Sequence, residues 1–124
     1  MEKTSEKLIH QRIRNRIIEV LEIMASYDKQ ERFGGDELLN LWEDWVDEER
    51  LGSYREPVFT LPEQEQLSKV QHFWLLAAEN TPNPLPDISE LMSNDDWAAL
   101  QVSASDALAV FSFRGKFSEE REIT

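Results

Sequence analysis

The sequence predicts an all-α fold: a single-domain helical bundle of four long helices plus a short one. Three observations carry this. Apolar residues recur at steps of three and four over four separate segments, which gives each segment one apolar stripe. Glycine, proline and short polar residues stand where those segments begin and end. No segment alternates apolar and polar residues between hairpin turns, so nothing reads as a paired strand.

The first helix is expected from about Ser5 to Ala25, with Ile9, Ile13, Ile17, Val20, Leu21 and Met24 on its stripe and Glu2 and Glu6 near its positive end. Ile18 and Ile23 fall off that stripe, so the helix either packs on two sides or offers part of its back as a contact surface. A connector, Ser26 to Gly35, ends in the breaker Gly34-Gly35. Asp36 is the expected N-cap of a second helix over Glu37 to Arg50, with Leu38, Leu41, Trp42, Trp45 and Val46 inward. On a helical wheel Glu37, Asp44, Asp47 and Glu48 point the other way and Glu43 sits at the edge.

Ser53 to Thr60 is expected to be irregular, since Glu56 precedes a proline. Thr60-Leu61-Pro62-Glu63 is a capping box with proline in the first turn, and opens a third helix to about Glu79. Asn80 to Pro86 holds three prolines and reads as a loop, followed by a short helix at Ile88 to Met92 capped by Asp87. Ser93 or Asn94 caps the last long helix, about Asp95 to Arg114, which Gly115 ends. The domain therefore spans 1–115, and 116–124 is a charged C-terminal tail with Phe117 and Ile123 as candidate anchors. The expected core centres on Trp42, Trp45, Trp74, Trp97 and Phe111.

At 124 residues, 40% of them hydrophobic, the chain is long enough to bury a core without covalent staples. It contains no cysteine, which excludes disulfides, thiolate metal sites and thiol catalysis. The charged start Met1 to Lys7 lacks the apolar stretch of a signal peptide, and the longest apolar run, Phe73 to Ala78, is too short to span a bilayer. A cytoplasmic monomer or small homo-oligomer is the expectation.

Net charge is −12 and unevenly spread. Residues 1–32 carry six acids and seven bases, whereas residues 36–66 carry ten acids and two bases. So acidic a surface repels nucleic acid and anionic membrane. The basic residues Arg12, Arg14 and Arg16 of the first helix are better placed to pair with the acidic second helix than to read DNA.

Nucleophilic and histidine-based metal chemistry find little footing. The two histidines, His10 and His72, read as a solvated and a structural residue. Neither H-E-x-x-H nor G-x-S-x-G occurs, and the residues three before the histidines are Lys7 and Lys69, not glutamates. No cofactor is expected. One enzymatic alternative remains. Glu19-x-x-Glu22 and Asp44-x-x-Asp47 each place two carboxylates on one helical face, as an all-oxygen Mg²⁺ site requires. The arrangement resembles that of helical nucleotide pyrophosphohydrolases over these four positions, with Asp where that family has Glu at the third. The resemblance implies Mg²⁺-dependent hydrolysis of a nucleotide.

The densest acid, Glu43, Asp44, Asp47, Glu48 and Glu49, lies beside Tyr54, a residue type favoured in binding hot spots. The leading expectation is a non-enzymatic protein-interaction module whose acidic face meets a basic partner protein, with Tyr54 as an anchor. Small acidic bacterial immunity proteins and antitoxins are similar in this manner of action. A third expectation is a structural helical dimer with Ile18 and Ile23 at its seam.

Overall fold

The computed structural model describes residues 4–81 and 85–123. Glu2, and Pro82 and Pro84 of the expected loop, lie outside the described residues. Among the described residues the chain forms seven helices and no strand: α1 (Glu6–Met24), α2 (Tyr27–Phe33), α3 (Gly35–Glu43), α4 (Glu48–Leu51), α5 (Leu61–Asn80), α6 (Ile88–Leu91) and α7 (Asp95–Ser112). The fold is all-α, as the stripes predict. Three long helices carry it, and the expected fourth is divided.

Local chemistry sets most boundaries. The Ser5 hydroxyl accepts from the Leu8 N–H and starts α1. Thr60 and Glu63 form the reciprocal capping box at α5, and Asn94 accepts from the Asp96 and Trp97 N–H groups at α7. Gly115, at φ +70°, takes the left-handed conformation just beyond α7. Asp87 occupies the N-cap position of α6, but its side chain makes no capping bond.

Two expectations need correction. The connector 26–35 contains α2, which Ser26 caps by accepting from the Lys29 N–H and Gly34 closes at φ +79°. The expected helix over Glu37 to Arg50 is broken at 44–47. Asp47 turns extended, and its carboxylate accepts from the Arg50 N–H at 2.7 Å, so it begins a new helix instead of continuing the old one. The Arg50 side chain reaches back to the carbonyls of Glu43 and Asp44 and closes the end of α3. Further, α3 starts at Gly35, not after Asp36, with Gly34 in the N-cap position.

The long helices α1 and α5 run the same way, and α7 runs against both. Glu63 at the start of α5 lies beside Arg114 after α7, and Gln30 just beyond α1 touches Trp97 at the start of α7. Thus α7 runs antiparallel to both α1 and α5, and its most extensive packing is against α5. Trp42, Trp97 and Phe111 are fully buried, whereas Trp45 and Trp74 are half-buried against the same core. The buried indoles find acceptors: Trp42 Nε1 donates to Gln71 (2.8 Å) and Trp97 Nε1 to Gln30 (3.0 Å). Gln30 in turn donates to the Met24 carbonyl, tying α2 to the end of α1. Gly35 allows α3 to approach closely, since a Cβ there would meet Leu91 Cδ1 at 2.9 Å and Leu85 Cδ1 at 3.1 Å.

Helix α1 is buried on two sides. Its apolar stripe faces the bundle from Ile13 to Met24, whereas Ile9, expected on that stripe, is exposed; Ile18 and Ile23 pack inward. On the other side Gln11, Arg14 and Asn15 are buried beneath residues 115–123. That packing buries Ile18, which offers no surface to a dimer seam, and leaves Ile23 partly covered.

Candidate functional site

Two groups of acidic residues contrast in whether a cation faces them. The first is buried. The Arg14 guanidinium spends all five donors: Nε to the Gly115 carbonyl, Nη1 to the Val58 carbonyl and Glu63 Oε1, and Nη2 to Glu63 Oε2 and the Phe111 carbonyl. Its face lies 4.8 Å from the Phe111 ring centroid and 4.3 Å from that of Phe117. Arg114 also reaches Glu63, with Nη2 at 2.7 Å from Oε1, and stacks on Phe117. Burial pushes the Glu63 carboxyl up. Hydrogen bonds from Arg14, Arg114 and the Thr60 N–H outweigh that and hold it below the ordinary glutamate value.

Arg12 and Arg16, expected to meet the acidic second helix, meet the tail instead. Arg12 donates to the Glu119 carbonyl at 2.8 Å, and Arg16 pairs with the Glu119 carboxylate at 2.6 Å and with Glu19. Asn15, then Arg16, hold the Glu119 carboxyl below its ordinary value. Phe117 and Ile123 both pack on the core, and the amides of Gln11 and Asn15 bond the tail's main chain.

The second environment is the corner between α3 and α4. Glu43, Asp44, Glu48 and Glu49 are exposed there, and no ion pair among the described residues includes any of them. Asp47 differs: it caps α4 and pairs with Arg50 at 2.9 Å, and the Arg50 N–H bond holds its carboxyl below the ordinary value. Tyr54 is not at this surface. It is buried, its ring stacks on Phe59 at 4.8 Å, and its hydroxyl donates to the Trp45 carbonyl. An aromatic two residues beyond a turn looks the same in sequence whether it points outward or into the core.

The bundle adds acid that the linear pattern hides. A cleft of about 440 Å³ opens between the α2–α3 junction and the segment leading into α6, and Glu31, Asp36 and Asp87 line it. These carboxylates come from three separate parts of the chain, so no local run announces them.

The four carboxylates of the metal alternative are not gathered. Glu19 pairs with Arg16 and Lys116, Glu22 lies 3.7 Å from Lys29, and Asp47 pairs with Arg50. Among the described residues no group of three or more His, Asp or Glu side chains is placed to hold a metal ion. His10 packs edge-on against Tyr54, and His72, expected to be structural, is exposed beside Phe73. No described helix is long and apolar enough to cross a membrane. No family model matches this chain, and neither a curated protein nor a solved structure matches it.

Proposed function

We propose that this protein is a non-enzymatic binding module whose α3–α4 corner meets a basic surface on a partner protein. One observation carries the reading: Glu43, Asp44, Glu48 and Glu49 stand exposed together on one corner, and no ion pair among the described residues includes any of them. Unpaired like charges on one corner repel one another, and that repulsion is relieved when a cationic surface covers them. Asp47 holds the corner's shape and does not supply field. The cleft acids Glu31, Asp36 and Asp87 extend the negative surface toward α6. The sharpest form of this reading is an immunity- or antitoxin-like inhibitor that acts in the cytoplasm by covering a basic active surface.

The test is retention of host proteins on the immobilised chain at about 50 mM and about 500 mM salt, because contacts of this kind are screened over that range. A basic protein retained at low salt, released at high salt, and not retained by the variant Glu43→Lys/Asp44→Lys/Glu48→Lys/Glu49→Lys is the expected result. Equal retention by the variant overturns the reading.

A further inference from the structure

A different surface of the molecule is nearly neutral and apolar. Leu61 is 67% exposed, Val102 62% and Phe113 92%, the three most exposed large hydrophobic side chains among the described residues. Val102 and Phe113 lie on the outer face of the antiparallel α5–α7 pair, and Leu61 opens α5 beside it. The face carries two shallow grooves. One runs between Pro62 on α5 and Ala109, Val110 and Phe113 on α7; the other between Lys69 and Phe73 on α5 and Val102 and Asp106 on α7. From Trp97 to Phe113, α7 contains one charged residue, Asp106. The exposed charges of α5 between Leu61 and Ala78 are Glu65 and Lys69.

We infer that this face docks a second copy of the same chain, forming a four-helix bundle from two α5–α7 pairs. Charge selects that occupant. Two copies of a protein with net charge −12 repel over most of their surfaces, and a cationic partner is drawn to the unpaired acids, not to a neutral apolar face. The face is also self-complementary. Because α5 and α7 are antiparallel neighbours, Lys69 and Asp106 stand at the same height across one groove. A two-fold axis parallel to the helices lays α5 of one copy over α7 of the other. It thereby places Lys69 opposite Asp106 of the other copy, twice, and Pro62 over Phe113, twice. Lys69 is held only loosely within its own chain, 3.7 Å from the solvent-exposed Glu65, and is available for that contact. Closed two-fold pairing of this kind is the commonest form of self-association, and the knobs of such a face suit helix-on-helix packing.

The experiment is sedimentation equilibrium of the full chain, from roughly micromolar to millimolar concentration at about 0.15 M salt. The wild type is expected to be a dimer at the upper end. Lys69→Glu and Asp106→Lys each place like charges across the seam and are expected to weaken the dimer at least about tenfold. The double swap Lys69→Glu/Asp106→Lys is expected to restore it. Phe113→Asp, at a residue almost wholly in solvent, is expected to dissociate the dimer without changing the circular dichroism of the monomer. A clean monomer throughout, a dimer indifferent to Phe113→Asp, or a double swap that fails to recover association overturns the inference.

Discussion

The seam between α1 and the C-terminal segment and the corner between α3 and α4 are both built from charged side chains on amphipathic helices, and they are used in opposite ways. At the seam, Arg14 is fully enclosed, with every donor matched and two aromatic rings against its guanidinium. At the corner, Glu43, Asp44, Glu48 and Glu49 are exposed, and no ion pair among the described residues includes them. A buried charge survives only when its partners are fixed around it, so the seam constrains the fold tightly. An exposed one is solvated wherever it points, and constrains the fold hardly at all. Charge count alone therefore does not separate structural ions from functional ones; partner geometry does.

The largest effect that sharpens this contrast is at Arg14. Replacing Arg14 by Ala leaves the Glu63 carboxylate enclosed with only Arg114, and is expected to cost about 3–5 kcal/mol of unfolding free energy. Urea denaturation measures it, and a loss under about 1 kcal/mol would break the comparison. Acid should attack the same cluster. The pKa of Glu63 is depressed in the folded state, so its stabilisation is complete above the unfolded glutamate value and fades as pH falls through the folded one. Melting temperature should thus drop on acidification below about pH 4. Glu63→Gln, less stable at neutral pH, should show a shallower decline over that range.

Removing residues 117–124 takes away Phe117 and the main-chain partners of Gln11 and Asn15, an expected loss of about 2 kcal/mol by the same denaturation assay. Asp47→Ala tests the one corner acid that has a structural task. Losing the cap on the Arg50 N–H should cost about 1 kcal/mol. The smallest change is expected for Glu48→Lys, within about 0.5 kcal/mol in either direction. A large destabilisation there would mean that the corner, like the seam, is structural.

The sequence made some of these features legible and hid others, for physical reasons. The capping box at Thr60 and Glu63, the Asn94 cap and the glycine at 115 are local, so neighbouring residues suffice to announce them. That Glu63 also binds Arg14 and Arg114 is not local, and a capping glutamate looks complete without it. The break at 44–47 was hidden because an aspartate on the polar side of a helix and an aspartate capping the next one occupy the same place in the pattern. Helix α2 was hidden by its seven-residue length, although Ser26 and Gly34 bracket it. The docked tail was hardest to foresee, because Gln11 and Asn15 bond main-chain atoms that every sequence possesses. The available signal was the amides at 11 and 15, one helical turn apart and flanking Arg14, together with two lone apolar residues, Phe117 and Ile123, in a charged segment.

The seam joins segments far apart in the sequence: Gln11 accepts from the Ile123 N–H at 2.8 Å, and Arg14 waits for Phe111, Gly115 and Phe117. During synthesis on a ribosome, the first helix emerges with an arginine some of whose counterparts, Phe111 and Gly115, are about a hundred positions from being made. Loop closure over that span is slow relative to helix formation. Nascent chains cut short before Phe117 should be open to protease along α1, and resistance should arise abruptly once residues 117–123 clear the exit tunnel.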